Sequence, residues 1–226
     1  MMDFIARNQA QPRTPGSDRP EARVAEVGSD CTALQEADRI RADTYGVLAR
    51  LFRAPPDRAL IDLLAECRDA EEADSELARA WVALAGASRQ ADPAALDDEY
   101  HALFIGLGRG EVLPYASWYL SGFLQDKPLA QLRADLDKLG IERAESVSES
   151  EDHAAAICET MALLVEPDAG IDYAVQKQFF ERHVQPWFPR FLADLRGAEN
   201  ADFFRRVADL GRGFIEFEQS WLSLPQ

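Results

Sequence analysis

The chain has 226 residues, with 24 Lys and Arg against 40 Asp and Glu, a formal net charge of −16. That balance excludes a sequence-independent nucleic-acid binder, which needs a basic surface to neutralise phosphates. Hydrophobic residues make up 47%, enough for a sizeable core, and no apolar run approaches the ~20 residues of a membrane-spanning helix.

Residues 1–30 are predicted to be a disordered tail. Gln9 to Pro20 is mostly Gln, Arg, Pro, Gly and Ser, too polar to offset the entropy of ordering. No apolar stretch of roughly 7–15 residues follows the basic residues, so the tail does not read as a secretory signal. Cys31, Cys67 and Cys158 are far apart and odd in number, which fits a reducing cytosol. A cytoplasmic location is the expectation.

Residues 31–226 read as one helical domain, with 140–150 as a loop or hinge at which it would divide into two subdomains. From Leu34 on, Ile40, Thr44, Val47, Leu48, Leu51 and Phe52 form one buried stripe. Pro55 and Pro56 end it. Leu60, Ile61, Leu64 and Cys67 predict a second helix, and Leu77, Trp81 and Leu84 a third that ends near Gly86. Asp92-Pro93 supplies the cap and first turn of a fourth, with Leu96, Tyr100, Leu103 and Phe104 inward. Gly106, Gly108, Gly110 and Pro114 predict a long irregular loop, a kind of segment that often carries function.

A short apolar segment, Tyr115 to Leu124, comes next. Pro128 opens a helix with Leu129, Leu132, Leu136 and Leu139, closed by Gly140. A polar loop runs from Glu142 to Ser150. Ser148 with Glu151 matches a capping box, so the next helix is expected to begin there, with Ile157, Met161, Leu164 and Val165 inward. Pro167 to Gly170 stop it. Tyr173, Phe179, Phe180 and Val184 start another helix, which Pro186 and Pro189 kink or divide before Phe191, Leu192 and Leu195. Phe203, Val207, Leu210, Phe214, Phe217 and Trp221 form a last seam. Internal packing of that seam is favoured over packing against a second subunit, and both monomer and homodimer stay open. No alternating strand stands out. The fold class is all-α, a single globular domain of roughly nine or ten helices.

Signals of catalysis are missing. There is no GxxxxGKS or GxxxxGKT phosphate loop, and Gly106-Leu107-Gly108-Arg109-Gly110 resembles one only in composition, because it follows a helix. HExxH and GxSxG are absent. His101, His153 and His183 lack metal-ligand spacing, and the Glu-x-x-His pairs of di-iron bundles are not found. The expectation is a protein that works by binding, not an enzyme, with no metal.

Residues 91–153 hold 13 acidic and 5 basic side chains, net −8, half of the excess charge. Solvation is one reading of it; a field that steers cationic partners is the other. Two segments in this stretch stand out. Tyr115, Trp118 and Tyr119 share one helical face; they suit either core packing or a half-wet groove. Glu149, Glu151 and Asp152 sit near a helix start, where acidic side chains favour the dipole, so capping alone accounts for them. His153 lies on the edge of the buried stripe, as a half-buried histidine would, with Asp152 about 100° away.

These residues carry a resemblance. Tyr100-His101-Ala102-Leu103-Phe104-Ile105-Gly106, then Pro114-Tyr115-Ala116-Ser117-Trp118-Tyr119, then Glu149, Glu151, Asp152 and His153 resemble, in order and spacing, motifs of the TorD/DmsD family of redox-enzyme maturation chaperones. The match runs from about Tyr45 to Trp221. Ser150 replaces a family proline, and Leu107 stands where proline is frequent. The resemblance implies an all-helical, cytoplasmic, non-enzymatic chaperone. Its partner would be the apo-form of a molybdenum-cofactor oxidoreductase, bound by its twin-arginine signal peptide until cofactor insertion and export. It also implies weak guanine nucleotide binding and domain-swapped dimers in some members, and binding residues at Trp118, Asp152 and His153, with Tyr115, Ser117 and Tyr119 lining the same region. On that basis Asp152, with Glu149 or Glu151, is expected to hold the arginine pair by bidentate contacts, His153 to orient Asp152, and the aromatics to receive the apolar helix.

Trimethylamine N-oxide reductase, dimethyl sulfoxide reductase and formate dehydrogenase are candidate clients, and Phe123 to Leu129 resembles the formate-dehydrogenase-associated branch. Three alternatives remain: a nitrate-reductase-type assembly chaperone for an enzyme that is not exported, a helical adaptor, and a small hydrolase with a His153–Asp152 dyad, which lacks a nucleophile in any recognised motif.

Overall fold

Short polar caps and prolines set most helix ends. The computed structural model describes residues 5–7, 27–67, 75–106 and 108–224. Ten α-helices lie among them: α1 (Val27–Arg53), α2 (Arg58–Ala65), α3 (Glu76–Ser88), α4 (Pro93–Tyr100), α5 (Ala116–Ser121), α6 (Lys127–Leu139), α7 (Ala154–Val165), α8 (Tyr173–Phe179), α9 (Phe188–Gly197) and α10 (Phe203–Ser223). The all-α expectation agrees. Asp57, Ser75, Asp92 and Asp172 each accept a backbone N–H of the helix they precede, satisfying a donor that the helix itself leaves orphaned. α4 and α8 each continue into a π turn, His101–Ile105 and Phe180–Val184.

α1 packs along α7, and α10 against α3 and α9. α7 is buried on nearly every face, from Ala154 to Val165. One continuous core joins Tyr45, Leu48, Leu51 and Phe52 of α1 to Trp187, Phe188, Phe191, Phe204, Val207 and Phe214. Among the described residues no helix is long and apolar enough to cross a membrane.

Three expectations need correction. First, a short antiparallel ribbon exists: β1 (Ile5–Arg7) pairs with β2 (Ile141–Arg143), with Ile5 opposite Arg143. Three residues are too few for alternation to show, and the partners are remote in sequence. The rest of the predicted 1–30 tail lies outside the described residues, except that α1 already begins at Val27, before Leu34. Second, Ile40 is 54% exposed while Arg41 beside it is fully buried. Arg41 meets Glu218 of α10 through Nε at 2.5 Å and Nη2 at 3.1 Å, a pairing that hydrophobic periodicity cannot see. Third, α7 does not begin at a Ser148–Glu151 capping box; it begins at Ala154, with His153 as its cap.

Candidate functional site

The later start of α7 follows from a contact between the two motif segments. Tyr115 and His153 form an antiparallel bridge. Ala116 N donates to the Asp152 carbonyl at 2.9 Å, and Ala154 N to the Pro114 carbonyl at 2.8 Å. Asp152 Oδ2 accepts from Ser117 N at 3.0 Å, and Oδ1 from the Ser150 hydroxyl at 2.5 Å. These long-range bonds occupy the Asp152 carbonyl and the Ala154 amide, which a helix begun at Ser148 would have paired within itself. The start of α5 and the start of α7 are thereby tied together.

The loop before α5 needs its glycines. Gly106 has φ +62°, and a Cβ there would run into the Arg109 carbonyl. A Cβ on Gly110 would stand 2.5 Å from the Leu103 carbonyl oxygen. Only glycine permits both the left-handed turn and that close approach. Arg109 is carried over the ring of Trp118, its guanidinium carbon 4.7 Å from the ring centroid.

The eight expected site residues divide by depth. Tyr115 is half-buried, meets the His153 ring edge-on at 5.0 Å, and donates to Glu149 at 2.5 Å. Trp118 is half-buried as well. Glu151 accepts from Arg133 Nε and Nη2 at 3.0 and 2.8 Å, with Arg143 Nε 3.6 Å away. Burial is the largest single influence on the Glu151 carboxylate and works against it, but the Arg133 hydrogen bond, a backbone hydrogen bond and the charges of Arg133 and Arg143 together outweigh it, so its pKa is held below the ordinary value. Glu149 is exposed.

The other four face inward. Ser117 is fully buried and accepts from Gln125 N at 3.2 Å. Tyr119 donates to Asp194 at 3.0 Å and packs on Trp187 and Phe191. Asp152 is 1% exposed, with both oxygens engaged as described, and it takes its orientation from Ser117 and Ser150. His153 is 6% exposed, deeper than the half-buried position expected, and its Nδ1 accepts from Ala155 N at 3.1 Å. Burial pulls its pKa down to about 4, with Arg53 adding to the shift and Glu149 and Asp152 opposing it. His153 is therefore neutral near pH 7, as its role as a helix-cap acceptor requires.

Sequence reasoning missed the apolar rim. Leu120, Phe123 and Leu124 are 43%, 70% and 49% exposed, in the stretch where α5 ends at left-handed Gly122 and Gln125 holds φ 56°. The sequence shows them as part of the apolar segment Tyr115 to Leu124 but not as exposed, because apolar side chains beside a core segment look like core. A small crevice is lined by Leu120, Ala116, Pro128, Leu132 and Ile157 and, on its polar side, by Gln131, Arg182 and His183. No group of three or more metal-ligating side chains gathers among the described residues.

A family model described as the nitrate reductase delta subunit matches residues 70–193. Several relatives bear the name Chaperone protein TorD. The one from Vibrio atlanticus is 25% identical over 138 residues, covering 57% of this chain and 64% of its own; the match thus spans less than two thirds of that relative. The Vibrio parahaemolyticus relative is 24% identical over 178 residues, 74% of each chain. One from Vibrio cholerae is 29% identical over 144 residues, 60% of this chain and 66% of its own. Among solved structures, a protein from Archaeoglobus fulgidus described as a redox enzyme maturation protein superposes with a TM-score of 0.51. It is 21% identical and the match covers 79% of this chain and 93% of that one, a likeness of fold.

Proposed function

This chain belongs to the nitrate reductase delta subunit family, and on that premise we propose that it is a cytoplasmic chaperone, not an enzyme, for a molybdenum-cofactor oxidoreductase. It binds the twin-arginine leader of the apo-enzyme and releases it after cofactor insertion, for export. The relatives' name, Chaperone protein TorD, supports the class.

One observation carries the leader-binding part. The two motif segments are joined at Tyr115 and His153, and the α5 segment that leaves this joint runs straight into the exposed row Leu120, Phe123 and Leu124. A leader offers two guanidinium groups followed by an apolar helix. Glu149, Glu151 and Trp118 suit the first, and the exposed apolar row suits the second.

Calorimetric titration of the full chain with a synthetic leader peptide tests this. The peptide carries two arginines ahead of a leucine-rich helix, and a Lys-Lys version is its control. The arginine peptide is expected to bind more tightly. Phe123→Asp is expected to weaken it about tenfold or more, since burying a Phe side chain is worth about 1.5–3 kcal/mol, and to leave the melting temperature unchanged. Equal binding of both peptides, or indifference to Phe123→Asp, refutes the leader site.

The description of the matching family model favours a second reading, assembly of a nitrate-reductase-type enzyme that stays inside the cell. The N-terminus of the co-purified client decides between them: a twin-arginine leader supports the first, its absence the second.

A further inference from the structure

Two groups at the proposed leader site are natural receptors for guanidinium, a carboxylate and the face of an indole. Each already holds an arginine of this chain. Arg133 reaches from α6 to Glu151 and hydrogen-bonds it, while Arg143 of β2 stands 3.6 Å from the other oxygen and stays there as a second charge. Arg109 reaches from the glycine-bounded turn to Trp118.

These pairings differ in kind from Arg41 with Glu218. That pair is sealed in the core, 0% exposed on both sides. Arg133 is 52% exposed while Glu151, its receptor, is only 12% exposed. Arg109 is exposed while Trp118 is half-buried. In both cases the receptor is fixed in the protein and the cation stands at the water. An exposed cation regains full hydration when it leaves, so its departure costs little.

We propose that Arg133 and Arg109 are resident stand-ins for the two arginines of the client leader. Capture is then an exchange: the leader guanidiniums take Glu151 and the face of Trp118, and Arg133 and Arg109 swing out into solvent. This rests on the leader-binding reading above. It moves arginine recognition from Asp152, whose two oxygens are already on Ser117 and Ser150, to Glu151 and Trp118. It also explains how the site keeps a guanidinium-shaped receptor without leaving a partly buried carboxylate unpaired. Because like replaces like, the arginines contribute selectivity more than affinity, and the apolar row supplies the bulk of the binding.

The test is titration of the full-length wild type, Arg133→Gln, Arg109→Gln and the double variant with the Arg-Arg and Lys-Lys peptides. Arg212→Gln, at an exposed position of α10, removes the same charge as a control for the general field. Each single variant is expected to tighten Arg-Arg binding by roughly 1.5- to 5-fold, the range of an exposed ion pair or cation–π contact. The double variant should show the product of the two, and the Lys-Lys peptide and Arg212→Gln much smaller changes. Unchanged or weaker Arg-Arg binding in Arg133→Gln and Arg109→Gln, with the wild type still preferring arginine, overturns the exchange and leaves the leader reading standing. Equal gains for both peptides and for Arg212→Gln also overturn it, reducing the effect to net charge. No preference for arginine in any variant overturns both.

Discussion

Asp152→Asn separates a residue that holds the site together from one that touches the client. In the folded chain Asp152 is 1% exposed and accepts from Ser117 N at 3.0 Å and from the Ser150 hydroxyl at 2.5 Å. Hydrogen bonds to an ionised acceptor contribute about 1.5–3 kcal/mol each. Asparagine keeps one accepting oxygen. Its amide nitrogen cannot accept, but it can donate to the Ser150 hydroxyl oxygen, which turns to accept, while the amide oxygen keeps Ser117 N–H. Both contacts survive as neutral ones, and losing the charge from the two amounts to about 2 kcal/mol. For a chain of this length about 2–4 °C accompanies each kcal/mol, so the melting temperature should drop by about 4–8 °C. Glu151→Gln, in an ion pair whose cation is half exposed to water, should cost about 1 kcal/mol. Circular dichroism melts and peptide titrations on both variants give the readout. Asp152→Asn should lose stability and leader binding together, with faster hydrogen exchange at the Ser117 amide. Glu151→Gln should change binding and hardly move the melt. An Asp152→Asn protein that melts with the wild type but fails to bind leader would refute the positioning role and return Asp152 to direct contact.

Glu218→Leu takes the main partner from the buried Arg41 guanidinium, which keeps Asp38 and Gln176, and is expected to cost about 3 kcal/mol, measured by urea unfolding; Arg41→Met with Glu218→Leu should recover part of it, because a buried pair replaced by apolar groups is often neutral, while the Tyr45 hydroxyl still loses its acceptor. His153 gives a pH dependence: its folded pKa, about 4, lies below the ordinary 6.5, so the unfolded chain takes the proton first. Its contribution is complete above about pH 6.5 and falls by roughly 1.4 kcal/mol per unit down to about pH 4. His153→Asn, which keeps a capping acceptor, should show a flatter decline in urea midpoint over that window. Glu99 accepts from the backbone N–H groups of Asp202, Phe203 and Phe204, so Glu99→Ala should cost about 0.5–2 kcal/mol in a thermal melt and loosen the first turn of α10 in hydrogen exchange.

The helices were legible because their signals are local. Asp92-Pro93 opens α4, Gly140 closes α6 in the left-handed region, and Phe203 to Trp221 lies within α10 as its spacing foretells. What the sequence hides is settled between distant residues. Arg41 is buried because Glu218 is there, 177 positions later. Ser148 and Glu151 have the right spacing for a cap, yet Arg133 draws Glu151 away and Pro114 claims the Ala154 amide. The motif residues were legible as a set but not by depth. Tyr119 and Trp118 are neighbours on α5, and one is packed on Trp187 while the other lies under Arg109.

The acidic middle section shows why charge density along a chain is not charge density in space. Asp92 caps α4. Glu99 and Glu111 hold the backbone from Glu199 to Phe204, where α10 begins. Asp135 sits between His183, Arg182 and Lys138. Folding thus spreads 63 consecutive residues over several faces, and most of these carboxylates are spoken for by the chain's own donors. Two of them, Glu149 and Glu151, stand beside the aromatic joint at Tyr115. A cationic partner drawn by the overall field would meet carboxylates on many sides. Selection has to come from the few that combine with Trp118 and the apolar row, and of these raised salt should act less on Glu151 than on exposed Glu149, because partly buried contacts are screened less than exposed ones.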